Sequence, residues 1–304
     1  MEITLASKKQ AWLHAIRLRT LPLALSSILM GSILAASNNS FRLEIFILAA
    51  ITTIFLQILS NLANDYGDSV HGADSIDRKG PIRAVQSGVI SLSEMKKAMI
   101  LFAVLSLVSG LILLYISLND WRLFFLFLGL GVLAIIAAVT YTSGKKPYGY
   151  AGLGDISVFL FFGLLGVSGT YFLHTLSFDW INLLPAVSLG LFSTAVLNIN
   201  NIRDIESDTK AGKKSIPVRI GKKAAVKYNW SLILGGNITI VVFAIIQNSY
   251  WALFPILISP LMIRVAVGVS QGENSAMIDP FLKKMAISTL LWVIAFGIGF
   301  FISN

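Results

Sequence analysis

The chain's 304 residues carry 24 Lys and Arg against 15 Asp and Glu, a net charge of +9, yet only 13% of them are charged and 56% are hydrophobic. Soluble domains average about 25% charged residues; with a mean hydropathy of +0.78, this composition excludes a water-soluble globular protein and indicates an integral membrane chain. The absence of cysteine excludes disulfides, thiolate chemistry and cysteine metal sites.

The N-terminal stretch MEITLASKKQAWLHAIRLRT lacks the short apolar core and small-residue cleavage site of a removable signal peptide. A membrane crossing needs about 20 mostly apolar residues, and in chain order nine stretches qualify: 21–37, 42–63, 97–117, 121–142, 153–174, 180–200, 225–246, 250–268 and 284–302. Pro22, Pro255 and Pro260 blur the limits of the first and eighth. The connections alternate in character. Those after spans one, three, five and seven are short (SNNS, SLND, TLSFD, QNS), whereas the others and the N-terminal segment, together with the span ends that adjoin them, hold all the Lys and Arg except Arg42 and Arg122. An excess of basic residues marks cytoplasmic loops, so the N-terminus and every charged loop are expected in the cytoplasm and the C-terminus outside. The same asymmetry accounts for the basic balance without a nucleic-acid partner. Spans and loops use up the chain, which leaves a single transmembrane domain over 1–304 and no room for a soluble one.

Two of the charged loops are unlike the rest. The second span runs into QILSNLANDYGDSVHGADSIDRKGPIR, where Asn64 and Asp68 are four apart and share one face of a helix. Asp74 follows Gly72, which can bend the chain back toward them, and Asp77 stands as an alternative to Asp74. The sixth span ends in NNIRDIESDTKAGKKS, where Asp204 and Asp208 repeat the four-residue spacing. The clusters lie four spans apart on the same side, which hints at a duplicated four-helix unit with a ninth helix added. Solvated loops or helix caps are the plain alternative, but two such clusters at matching positions argue against it. Facing carboxylates repel unless a cation bridges them, and converging oxygen ligands suit a hard cation such as magnesium, which often holds a substrate phosphate too.

Neighbouring basic residues fit a diphosphate. Lys145 follows Tyr141 by four in TYTSGKKPYGY, and Arg83, Lys213 and Lys214 lie just past the clusters; lysine meets phosphate as a point charge and arginine with two hydrogen bonds. Ordinary loop charge is the alternative for each, and Lys145 and Arg83 are the preferred pair. Asp155, at the start of span five, is costly in a membrane unless used; it suits a base or acceptor-orienting role, with helix capping as the alternative. Arg17 and Arg19, ahead of the first span, are placed to receive an anionic acceptor, unless they merely anchor the chain at the interface. His14, His71 and His174 form no ligand spacing.

These motifs resemble a known family. Asn64-Asp65-Tyr66-Gly67-Asp68 with Gly72 and Asp74 looks like the first aspartate-rich motif of the UbiA superfamily of membrane prenyltransferases, Asp204-x-x-x-Asp208-x-x-x-Gly212 like the second, and Tyr141-x-x-x-Lys145 like the loop after its fourth helix. The longer phrases LRTLPLALSSILMG, GPIRAVQSGVIS and TAVLNINNIRDIESD resemble the branch acting on 1,4-dihydroxy-2-naphthoate. The resemblance implies an all-α protein with nine transmembrane helices around a central cavity, multi-pass in a bacterial cytoplasmic membrane. It implies Mg2+ held by Asn64, Asp68, Asp74, Asp204 and Asp208, and a diphosphate neutralised by Lys145 and Arg83, with Asp65 or Asp155 orienting or deprotonating the acceptor hydroxyl. The implied substrates are a polyprenyl diphosphate and 1,4-dihydroxy-2-naphthoate, with loss of CO2 and pyrophosphate to give demethylmenaquinone, and no obligatory protein partner. Another aromatic acceptor such as 4-hydroxybenzoate is the same-class alternative; a secondary transporter is the other.

Overall fold

The computed structural model describes residues 7–71, 84–86 and 88–303, and all of the regular structure among them is helical. Asp74, Asp77 and Arg83 fall outside these residues. Among those described, nine helical stretches are long and apolar enough to cross a membrane. They correspond one to one with the nine read from the sequence, and the ends that differ most have identifiable causes.

The first stretch begins earlier than expected. Ser7 accepts a hydrogen bond from the Gln10 backbone and starts α1 (Lys8–Ile16), which stops where Arg17 turns left-handed at φ 53°. A 3-10 turn (Leu18–Thr20) leads into α2 (Leu21–Ser37), where Pro22 sits in the first turn, a position at which its missing N–H costs nothing. The second stretch, α3 (Leu43–Val70), continues past its apolar part and carries Asp65 and Asp68 in its last two turns. The third, α4 (Leu92–Ser117), starts at a capping box of Ser91 and Glu94, a signal that the S-x-x-E spacing carried in the sequence.

After α5 (Trp121–Thr140), the fifth stretch is a composite. Its middle, Phe159–Gly169, is π-helical between α6 (Gly154–Val158) and α7 (Thr170–Thr175). Then come α8 (Leu183–Arg203), the short α9 (Ile205–Lys210) and α10 (Ile216–Ile220), and α11 (Lys222–Ile246). The eighth stretch is divided: Pro255 lies in a 3-10 segment (Tyr250–Ile258) and Pro260 in the first turn of α12 (Ser259–Gln271). The last helix, α13 (Ser275–Ser303), starts nine residues before the expected boundary and so includes Asp279 and Pro280.

Two separate apolar cores hold the clusters in place. The larger packs α2, α8, α11, α12 and α13 together, with the Phe192 ring edge-on to Trp292 at 5.1 Å. The other packs α1 and α4 on α3 through Ala11, Leu59, Leu62, Met95 and Met99. Helices close in where side chains are small. A Cβ on Gly163 would lie 2.7 Å from the Gly190 Cα of α8, and one on Gly31 would lie 2.5 Å from the Val167 carbonyl oxygen. Filling the second gap should force α2 off the fifth stretch. Gly31→Val is expected to cost about 1–3 kcal/mol, as overpacking does, and to lower the thermal unfolding midpoint in detergent by several degrees. An unchanged midpoint would refute this packing.

Candidate active site

The two acidic clusters meet above a cavity. Helices α3 and α8 present the same arrangement at their ends: Asn64 precedes Asp68 by one turn, and Asn200 precedes Asp204 by one turn. Asn64 and Asn200 line a cavity of about 400 Å3, so the carboxylates stand one helical turn beyond its polar rim. Arg17, Gln57, Asn61, Tyr141 and Tyr148 complete that rim, and the rest of the lining is largely apolar, from α2, α3, α5 and the fifth stretch. Such a shape takes a long apolar group with one polar end.

Lys213 joins the two walls. Its Nζ lies 3.0 Å from Asp68 Oδ1 and 3.3 Å from Asp208 Oδ1, and 4.8 Å from the centre of the Tyr150 ring. The Tyr150 hydroxyl donates to Asp68 Oδ1 at 2.8 Å. Tyr150 is itself fixed: its carbonyl accepts from the Lys214 backbone N–H at 2.9 Å, and Arg219 donates to the neighbouring Ala151 carbonyl at 2.6 Å. Burial raises the Asp208 carboxyl above the usual carboxylate range; Lys213 opposes the rise, while Asp204 and Asp68 add to it. An added cation would favour the charged form of these neighbouring carboxylates.

The other candidate residues divide into those at the rim and those turned away. Asp65, 1% exposed, pairs with Arg17 at 2.5 Å, and Arg17 lines the cavity. Tyr141 lines it too, at the end of α5. The Thr142 hydroxyl donates to the Ala63 carbonyl at 2.9 Å and approaches Asn64 Oδ1 at 3.2 Å. This tight approach is why position 67 is glycine, where a Cβ would sit 2.4 Å from the Thr142 carbonyl oxygen. Arg19, expected to meet the acceptor, instead pairs with Asp279 at 3.1 Å. Asp155 is buried, accepts from the Tyr228 hydroxyl at 3.2 Å and is not among the cavity-lining residues. Lys145 lies exposed in the loop that follows. Asp204 is held by Arg203 at 2.6 Å. Asp74 and Arg83 lie outside the described residues.

Sequence reasoning did not single out Tyr150, Asn200, Arg203 or Asp279. The NxxxD spacing of Asn200 and Asp204 repeats that of Asn64 and Asp68 and would have found Asn200; nothing local marks Asp279. A divalent cation fits the donors present, since they are all oxygen and Asp68 and Asp208, from separate helices, already share one ammonium. Among the described residues, no three His, Asp or Glu side chains gather closely enough to form such a site by themselves.

The UbiA prenyltransferase family model matches residues 24–290. The chain belongs to the UbiA prenyltransferase family. Its relatives include the 1,4-dihydroxy-2-naphthoate octaprenyltransferase of Haemophilus influenzae, 45% identical over 299 residues and covering 97% of each chain. The enzyme of the same name from Escherichia coli is 44% identical, over 98% of this chain and 97% of its own. Among solved structures, a UbiA homolog from Archaeoglobus fulgidus bound to GPP and Mg2+ shares the fold at a TM-score of 0.65 and 19% identity, over 97% of this chain and 100% of its own. In this family member, the contact of Thr142 on α3 is expected to be needed for prenyl transfer. Gly67→Val should reduce kcat/KM at least tenfold, whereas Gly129→Ala, with nothing within 4 Å of the added Cβ, should leave it unchanged; equal rates would rule out the close approach as a requirement.

Proposed function

We propose that this chain transfers a polyprenyl group from a polyprenyl diphosphate to 1,4-dihydroxy-2-naphthoate, releasing CO2 and pyrophosphate and giving demethylmenaquinone in its reduced, quinol form. The observation that carries the reading is the convergence of Asp68 and Asp208 on Lys213 just beyond the polar rim of an apolar cavity, in a chain 45% identical to a naphthoate octaprenyltransferase. Residues 1–304 act as one transmembrane domain, and neither nucleic acid nor an obligatory protein partner is called for. The distribution of Lys and Arg supports a bacterial cytoplasmic membrane with the N-terminus and the site on the cytoplasmic side and the C-terminus outside.

Asn64 and Asp68 from one wall, and Asp204 and Asp208 from the other, would hold Mg2+, with Asp74 as a further ligand by its place in the first motif. Bound there, magnesium supplies positive charge at the diphosphate oxygens as the allylic C–O bond breaks. Lys213 lies between the two walls and is positioned to pass from the carboxylates to the diphosphate; Lys145 and Tyr141 are assigned to the same diphosphate, and Arg83 with them by its place after the first motif. The prenyl chain occupies the apolar cavity, which keeps water from the electron-poor allylic carbon. Arg17, at the rim, takes the acceptor's carboxylate side. The ring carbon bearing that carboxylate forms the new C–C bond and loses CO2. Asp65 beside Arg17 is favoured over Asp155 for orienting or deprotonating the ring hydroxyl, because Asp155 is turned toward Tyr228. The pairing of Arg19 with Asp279 favours Arg17 over Arg19 for this role.

Purified protein in lipid, given Mg2+, a labelled polyprenyl diphosphate and either 1,4-dihydroxy-2-naphthoate or 4-hydroxybenzoate, is expected to prenylate only the naphthoate, with CO2 release. EDTA should abolish turnover, and Asp68→Ala should slow it by at least about a hundredfold, ~2.7 kcal/mol in the barrier. Product from hydroxybenzoate alone would move the acceptor assignment. No product from either acceptor would sink the reading. Asp65→Asn is expected to slow turnover far more than Asp155→Asn, and the reverse order would exchange their roles.

A further inference from the structure

A line of four alternating charges crosses the foot of the bundle. Arg203 grips the Asp204 carboxylate on both oxygens, Nε to Oδ1 at 2.8 Å and Nη2 to Oδ2 at 2.6 Å. From the same guanidinium, Nη1 reaches Asp279 Oδ1 at 2.5 Å and Nη2 reaches Asn200 Oδ1 at 2.8 Å. Asp279 in turn accepts from Arg19 Nη1 at 3.2 and 3.1 Å. The Ser275 hydroxyl donates to the Arg203 carbonyl at 2.7 Å, so the start of α13 is tied to the end of α8 by backbone as well as by charge. The Arg203 side chain is 3% exposed and that of Asp279 26%.

The arrangement poses a problem for Asp204. A carboxylate claimed on both oxygens by a buried guanidinium has little charge left for a divalent cation. It can serve as a ligand only if Arg203 has another anion to lean on, because an arginine this deeply buried is costly without one. Asp279 is such an anion. It is bonded to the opposite end of the same guanidinium, it comes from a different helix, and Arg19 steadies it.

We propose that Asp279 is a positioning residue for the second aspartate pair: by sharing Arg203, it sets how much negative charge Asp204 presents to a divalent cation. This rests on the reading that Asp204 and Asp208 help hold the metal. Neutralising Asp279 leaves Arg203 to Asp204 alone and weakens the cation site. Neutralising Arg203 as well releases Asp204 and restores it. A purely structural ion pair would behave otherwise, since its loss would lower thermal stability without changing the cation affinity of the protein that remains folded.

The test is Mn2+ binding, read from the electron paramagnetic resonance signal of the free ion, for the full chain in detergent. It is run with Mn2+ alone and with Mn2+ plus a slowly reacting prenyl thiodiphosphate; size exclusion and circular dichroism select folded protein. Asp279→Asn is expected to bind Mn2+ roughly tenfold more weakly, the lower end of the effect seen when partners of metal ligands are removed. Asp279→Glu, which keeps the charge, should stay within about threefold of the parent chain, and the Asp279→Asn, Arg203→Gln double variant should recover most of the loss. Unchanged affinity in Asp279→Asn overturns the proposal, as does a double variant no better than the single. If Asp279→Asn does not fold, a double variant that folds and binds as the parent chain does supports it, and one that binds more weakly overturns it. A parent chain that binds no Mn2+ with or without the thiodiphosphate overturns the metal reading itself, and this proposal with it.

Discussion

Negative charge from two distant parts of the chain has to share one small volume at the end of the bundle. Asp68 arrives on α3 and Asp208 on α9, each buried, and Lys213 lies within 3.3 Å of both. Charges in such a setting interact far more strongly than in water, and leaving one uncompensated is expensive. Much of the local structure follows from that constraint. Tyr150 donates to Asp68 and offers its ring to Lys213. The loop carrying Tyr150 is pinned to the Lys213 loop by a backbone bond from Lys214 and by Arg219. Arg17 leaves helical geometry at the point where it reaches Asp65.

The helices beneath are held so that these charges converge. One apolar core fixes α3 against α1 and α4; another fixes α8 against α2, α11 and α13. The cavity is the space left between the two, walled by α5 and the fifth stretch. Glycines let the fifth stretch approach α2 and α8 to backbone contact. Its middle is π-helical, a geometry often found beside functional sites, and Phe161, Phe162 and Leu165 from that segment line the cavity wall. An apolar cavity under a polar rim suits a ligand with one long apolar end and one charged end.

The amino-acid sequence by itself determined the class of protein and the chemical character of the site. Nine apolar stretches declare themselves because a bilayer requires about 20 apolar residues for each crossing, a length criterion that does not depend on packing. The aspartate motifs are legible for a similar reason: the four-residue spacing is a helical turn, and carboxylates at a membrane edge are too costly to be incidental.

What only the tertiary structure decided is which partner each charged group faces. Arg17 and Arg19 are two residues apart, yet a left-handed residue and a turn of 3-10 helix send one to Asp65 at the cavity rim and the other to Asp279 on α13. Asp155 has the composition of a catalytic carboxylate, but its place in the first turn of its helix aims it at Tyr228. Arg203 counts in the sequence as one more cytoplasmic charge and in the structure closes on Asp204 and Asp279 together. Asp279 is 75 residues from Asp204 and carries no motif. Hydropathy and spacing report what a residue costs to bury and which face of its own helix it shares, but a contact between helices depends on how both are rotated and how far each extends, and that is fixed by the packing of the whole bundle.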